Sequence, residues 1–279
     1  ILNRIGIKDV VVVPEQENPD GNFTTCPYPN PEITEALSLG LKLSETEKPD
    51  LLLATDPDGD RVGIAVPSDD GYELFSGNEV GAMLLEYICS ERTRQGTMPK
   101  NPVTVKTIVT TDLVRAIAKE YNVEVFEVLT GFKFIGEQIG FLEDKGEENR
   151  YIFGFEESYG YLAGSYVRDK DAVVGSMLIC EMAAFYRTKG ISMIQARENM
   201  YKKYGVYVHT QKSFTCEGKT GMKKMKEIMG GLRENSPAEI GGLKVTKVSD
   251  YIKSVSVDTE TGEQTQISLP KSDVLVFEL

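Results

Sequence analysis

Histidine is almost missing from this sequence: His209 is the single example in 279 residues. A metal site built on histidines is therefore excluded, and His209 reads as an ordinary polar residue. Cysteine is nearly as scarce. Cys26, Cys89, Cys180 and Cys216 are scattered with no C-x-x-C pair, which speaks against zinc and for a reducing, cytoplasmic setting. There is no run of ~20 apolar residues and no signal-peptide pattern, so a soluble protein with no membrane partner is expected. Positive charge is also in deficit, with 31 Lys and Arg against 43 Asp and Glu and a formal net charge of −12. Nucleic-acid binding depends on neutralising phosphates with Lys and Arg, so a nucleic-acid partner is disfavoured. If the ligand is an anionic phosphate, local positive groups must attract it.

What is present supports a folded enzyme-sized chain. Hydrophobic residues make up 41% and charged residues 27%. At ~100–200 residues per domain, this length divides into two or three units with real cores. The stretch that stands out is Asp56-Pro57-Asp58-Gly59-Asp60-Arg61, which follows the apolar run Leu51-Leu52-Leu53-Ala54. A buried strand ending in an acidic turn is where open α/β sheets put their ligands. Three carboxylates so close together repel one another unless something positive sits among them. Hard divalent cations, magnesium in particular, take such oxygen donors together with a phosphate oxygen. The first expectation is a magnesium site at Asp56, Asp58 and Asp60 serving phosphoryl chemistry. A solvated acidic turn is the plainer reading. An EF-hand calcium loop fails, because Arg61 stands at its glycine position and Pro67 at its final glutamate position. A haloacid-dehalogenase-like phosphatase would carry threonine where Asp60 stands. Arg61 is either a salt-bridge partner of the turn or a bidentate ligand for phosphate oxygens.

Along the chain, residues 1–7 read as the tail of a helix and Val10–Val13 as a strand. The Pro/Gly/Asn-rich residues 19–32 read as a structured loop, and Pro31–Leu43 as a helix. Strands are expected at 50–54, 62–66 and 72–75, with a turn at Asp69-Asp70-Gly71, and an amphipathic helix at 77–94. This closes a first α/β unit, 1–98. A second unit, 99–205, carries strands at 103–109, 123–128 and 151–155. Helices fall between them, Thr111 or Asp112 caps the first, and an apolar helix at 171–186 should be buried. The two units share an order of elements, which suggests a structural repeat. Residues 206–279 read as a smaller α+β unit, with a strand at 206–209, a basic helix at 220–233 and short strands ending in 274–277. The fold class is α/β: two similar three-layer α/β/α domains and then a partial α+β segment. Both ends look cut from something longer.

Beyond the acidic turn, Glu156-Glu157-Ser158 ends an apolar strand. It is either a polar turn or a carboxylate and hydroxyl presented to sugar hydroxyls. Thr130-Gly131-Phe132-Lys133 lacks the glycine spacing of a P-loop. Arg168-Asp169-Lys170-Asp171 is either a solvated charge cluster or the source of a functional lysine.

Taken together these stretches resemble the α-D-phosphohexomutase family, the phosphoglucomutases and phosphomannomutases. The matching stretches are, in order, Pro19-Asp20-Gly21-x-Phe23 with Pro29-Asn30-Pro31-Glu32, then Asp56–Arg61, Thr130–Lys133, Glu156–Gly160 and the Arg-x-Lys-Asp run at 168–171. The resemblance covers essentially the whole chain, and Glu-Glu-Ser points to the phosphoglucomutase side. It implies a four-domain, magnesium-dependent intramolecular phosphotransferase (an isomerase of glucose metabolism). Such an enzyme interconverts glucose 1-phosphate and glucose 6-phosphate through a phosphoserine and glucose 1,6-bisphosphate. It further implies that Asp56, Asp58 and Asp60 bind magnesium, with Asp60 also beside the substrate, and that Arg61 steadies the transferring phosphoryl group. Glu156 and Ser158 would hold sugar hydroxyls, Thr130 would line the cleft, and Lys170 would contact substrate or assist proton transfer. No Thr-Ala-Ser-His-Asn-Pro-like serine loop and no Arg-Pro-Ser-Gly-Thr-Glu-like phosphate loop occur in the sequence. The resemblance therefore covers the second and third domains and the start of the fourth, and the chain alone is expected to be inactive. Mannose-, glucosamine- or pentose-phosphate mutases, or a non-catalytic phosphosugar-binding module, are the alternatives.

Overall fold

The computed structural model describes residues 1–279, which form two compact units, 1–209 and 210–279. Regular structure starts late. Leu2–Ile5 is one 3-10 turn, and the strand expected at Val10–Val13 does not form. A strand exists by pairing its N–H and C=O groups with a neighbour. Val10, Val11 and Val12 join none of the sheets and remain exposed. Residues 19–32 are a structured loop as expected, with the Asp20 carboxylate accepting the N–H groups of Asn22 and Thr24. The helix expected from Pro31 starts later, because Ile33 is extended at ψ 119°. A 3-10 turn at Thr34–Leu37 leads into helix α1 (Ser38–Glu47).

Strands β1 (Leu52–Thr55), β2 (Val62–Ser68) and β3 (Gly71–Phe75) form an antiparallel sheet in that order. The acidic stretch is thus a hairpin connection between β1 and β2, not the mouth of a parallel sheet. Alternation along β2 sorts its side chains. Val62, Ile64 and Val66 face one core, while Ala65 and Leu52 face a smaller one under Leu37 and Leu41.

Helix α2 (Gly77–Gln95) opens on a capping box in which Ser76 and Glu79 exchange side-chain and backbone hydrogen bonds. The sequence reading puts this helix in the first unit, ending near 98. Its buried face instead packs with α3 (Leu113–Glu120), α5 (Ala172–Thr188) and α6 (Met193–Tyr204) in a core shared by both sheets. The second sheet runs β5-β4-β6-β7. Here β4 (Val103–Thr107) pairs in parallel with β5 (Glu124–Val128) and β6 (Tyr151–Glu156), and β7 (Gly160–Leu162) returns antiparallel. Its other face is covered by α4 (Phe132–Glu143) through Phe132, Ile135, Ile139 and Leu142. Each sheet is flanked by helices, so the fold class is α/β, although the two sheets pair their strands differently. The helix over 171–186 is not buried all round. Ala172, Gly175, Ile179 and Met182 are covered while Val173 is 47% exposed, since only one face of α5 meets the core.

Val206–His209 is irregular and not a strand. The second unit holds α7 (Gly218–Glu234), the two-stranded pair β8 (Glu239–Ile240) and β9 (Leu243–Lys244), and an antiparallel sheet. That sheet is ordered β12-β11-β10-β13, with β10 at Lys247–Asp250, β11 at Val255–Asp258, β12 at Gln264–Gln266 and β13 at Leu275–Glu278. This is the α+β texture expected. No helix of the chain is long and apolar enough to cross a membrane.

Candidate metal and phosphosugar site

Directly after β1, Asp56 turns its side chain back into its own loop, where it is wholly covered. One carboxylate oxygen, Oδ1, accepts the backbone N–H groups of Asp60 and Arg61, each at 3.0 Å, and Oδ2 accepts Arg61 Nε at 2.7 Å. Burial disfavours its charge, but the hydrogen bonds from Arg61 and Asp60 outweigh this and hold Asp56 at about 2. Gly59, at φ +69°, lets the loop reverse in the left-handed region, and Asp58 is exposed at its tip. Asp60 behaves oppositely. Burial raises its pKa and the neighbouring Asp56 adds to the rise, against the pull of Lys170.

One oxygen from each of Asp56, Asp58 and Asp60 lies within 4.8 Å of the others. Asp60 Oδ1 is buried without a hydrogen-bond partner; the Arg61 Nε ion pair at 3.6 Å is too long to serve as one. A buried acceptor left open among hard carboxylate donors fits a hard divalent cation such as magnesium.

Two cations flank the cluster. Arg61 reaches Asp56 and also Glu32, 3.3 Å away. Burial lowers its pKa, but these carboxylates more than offset that, so it stays fully charged. Lys170 Nζ lies 2.8 Å from Asp60 Oδ2 and 3.0 Å from Asp169 Oδ1. Burial again opposes its charge and the two aspartates prevail, leaving its pKa above the usual lysine value. Asp60 and Asp169 thus hold Lys170 as a cation beside the acidic hairpin.

The second sheet supplies the other side. Because β4, β5 and β6 are parallel, the loops that follow them leave from one edge. After β5, Thr130 is exposed and the N–H of Gly131 donates to Glu156 Oε1 at 2.8 Å. Glu156 is 5% exposed; burial raises its pKa and Glu157 adds to the rise, while the Gly131 N–H and Lys170 oppose it. Ser158 is half-buried in the turn between β6 and β7.

Backbone hydrogen bonds join the two halves. Arg61 forms a β-bridge with Gly160, Val62 N donates to Tyr159 O at 3.1 Å, and Ala172 N donates to Gly59 O at 3.0 Å. The acidic hairpin, the loop at 156–160 and the segment at 168–171 are therefore one connected surface. Within the last segment the roles divide. Asp171 caps α5 through Val173 N and Val174 N, and Arg168 pairs with Glu143. Sequence reasoning misses Glu32, although it lies in a quoted motif, and Asp169. It also misses Glu157 and the buried Lys106, whose signal is a lysine inside an apolar strand.

Residues 1–70 match the phosphoglucomutase/phosphomannomutase α/β/α domain II model, and residues 76–204 match the domain III model. The break between them falls just before α2, in keeping with the packing of that helix. The chain is 38% identical to phosphoglucomutases of Staphylococcus aureus strains bovine RF122 / ET3-1 and MRSA252 over 276 residues, 99% of this chain and 49% of theirs. It thus spans about half the length of the curated relatives it matches. A Thermus thermophilus protein assigned to the phosphomannomutases superposes with TM-score 0.57 at 25% identity, covering 74% of this chain and 42% of that one. The open form of parafusin, a phosphoglucomutase from Paramecium, has the same fold, with TM-score 0.57 at 18% identity over 94% of this chain and 42% of its own. Two consecutive domain models, a shared fold and relatives aligned along nearly the full chain agree: this chain belongs to the phosphoglucomutase/phosphomannomutase family.

Proposed function

We propose that the chain is the metal-loop and sugar-loop portion of a phosphohexomutase that interconverts glucose 1-phosphate and glucose 6-phosphate by way of glucose 1,6-bisphosphate. The observation that carries this reading is the backbone junction between the acidic hairpin and the loop at 156–160, with Lys170 spanning from one to the other. It supports a sugar phosphate seated with its phosphoryl group near Arg61 and its hydroxyls near Glu156 and Ser158.

Asp56, Asp58 and Asp60 would hold magnesium, which when bound supplies positive charge to a phosphoryl oxygen. Arg61 carries a planar donor set that can turn from Asp56 and Glu32 toward phosphate oxygens. Lys170, charged and anchored by Asp60 and Asp169, acts as a positive contact for substrate. Glu156 and Ser158 accept from and donate to sugar hydroxyls, and Thr130 borders the same edge. Catalysis here is positioning and charge stabilisation.

Titration calorimetry of the 279-residue chain with magnesium and glucose 1,6-bisphosphate tests the reading. Both should bind, and Asp58→Ala should abolish the magnesium heat. Bisphosphate binding that ignores both magnesium and Asp58→Ala would instead indicate a binding module without mutase chemistry.

A further inference from the structure

Glu156 and Glu157 are adjacent in sequence but have different surroundings. Glu157 Oε2 lies 3.3 Å from Thr107 Oγ1 and 3.2 Å from Thr110 Oγ1, and those two hydroxyls are 2.8 Å apart. Both threonines are buried, with 0% and 2% of their surface exposed. Two hydroxyl protons serve three contacts, so the trio shares them, with the carboxylate as the final acceptor.

Beneath it lies Lys106, 1% exposed. Its ammonium donates to the carbonyls of Thr107 (3.2 Å) and Thr110 (2.8 Å) and pairs with Asp112 (3.1 Å) and Glu127 (2.9 Å). A buried ammonium is tolerated only when so fully partnered. The result is a rigid 107–110 turn that holds two hydroxyls at fixed positions. On the other side, the start of α2 presses on the same loop. A Cβ at Gly77 would come within 2.1 Å of Glu157 O. The loop also holds Tyr159 at φ +67°, a left-handed conformation unusual for a side chain of that size, which persists only where the surroundings impose it.

We propose that Lys106, Thr107, Thr110 and Glu157 are positioning residues for the phosphosugar site. They clamp the 156–160 loop so that Glu156 and Ser158 present their oxygens in one geometry. Glu157 serves the clamp and touches no sugar. This deepens the function proposed above and rests on it.

The test uses Thr107→Val and Thr110→Val, which keep the shape and delete the hydroxyls, with Thr110→Ser as the conservative control. In the ligand-free protein, amide hydrogen exchange over 157–160 should accelerate about tenfold in the valine variants, the loss of one hydrogen bond to a charged acceptor, and stay near wild type in Thr110→Ser. Exchange of the Asp60 and Arg61 amides, which donate to Asp56 Oδ1 and not to the 156–160 loop, should not change. Calorimetry should show glucose 1,6-bisphosphate affinity about tenfold weaker in the valine variants, magnesium affinity within about twofold, and recovery in Thr110→Ser. Unchanged exchange at 157–160 would overturn the clamp, whatever the ligand does. So would equal acceleration at the Asp60 and Arg61 amides, or equal losses of magnesium and bisphosphate affinity, since these mean general loosening. Normal exchange effects in a protein that binds no bisphosphate would keep the clamp and count against the function reading alone.

Discussion

Lys170 Nζ lies 2.8 Å from Asp60 Oδ2, and its aliphatic stem reaches that point by crossing Gly160, where a Cβ would sit 2.1 Å from Lys170 Cδ. The lysine that neutralises the acidic hairpin thus depends on a missing side chain in the opposite loop.

Gly160→Ala should therefore displace Lys170 from Asp60. The stem is flexible, so the expected stability loss is modest, about 1–2 kcal/mol by urea unfolding. Bisphosphate affinity should fall as far as it does in Lys170→Met. Full retention of that affinity in Gly160→Ala would show that the Lys170–Asp60 contact is not needed.

Asp58 and Asp56 should separate metal binding from folding. Asp58→Ala removes an exposed carboxylate and should leave stability within about 0.5 kcal/mol while eliminating magnesium binding. Asp56→Ala strips the acceptor from two backbone N–H groups and Arg61 Nε and should cost about 3 kcal/mol. Equal stability losses in the two variants would contradict the burial difference between them.

Acid sensitivity follows from the depressed pKa of Asp56, about 2 against an ordinary 3.8. Its stabilising contribution is complete above the unfolded value and is lost as pH falls through about 2. A shift of this size corresponds to about 2 kcal/mol. Unfolding free energies of wild type and Asp56→Asn, measured from pH 5 to pH 2, should converge toward the acid end. Parallel curves would remove Asp56 as the source.

Glu156 should show the reverse linkage. Its raised pKa means that the fold prefers the protonated acid, so ionisation above that pKa works against stability. Glu156→Gln keeps an acceptor for Gly131 N without the charge. It should melt higher than wild type at pH 8, with the gap closing below pH 4, and lose bisphosphate affinity. A lower melting temperature at pH 8 would mean that the charged form is the favoured one.

If the proposed function holds and runs through the phosphoserine that the resemblance implies, the purified 279-residue chain should not convert glucose 1-phosphate to glucose 6-phosphate, because no Thr-Ala-Ser-His-Asn-Pro-like stretch occurs among these residues. A coupled assay that detected turnover would overturn that expectation.

Much of the candidate site is legible in sequence because its signals are local. Three aspartates at alternate positions after an apolar run need no partner to be noticed, and Glu156-Glu157-Ser158 closes a strand in the same way. The strand expected at Val10–Val13 is absent because apolar β-branched residues report a propensity, whereas a strand is made by its neighbour. Helix α2 falls on the other side of the expected boundary for a related reason: its sequence shows an apolar face but not which sheet that face meets.

Ligand chemistry is already written in the residue types, because carboxylate, guanidinium and ammonium groups carry their charge preferences wherever they stand. Which of them meet is a property of the folded chain alone. Folding joins Arg61 to Gly160 and Lys170 to Asp60, residues about a hundred positions apart. It also divides two adjacent glutamates, Glu156 toward Gly131 N and Glu157 toward the threonine pair. Successive side chains at a strand end leave in different directions, and what each one finds there is set by elements distant in the chain.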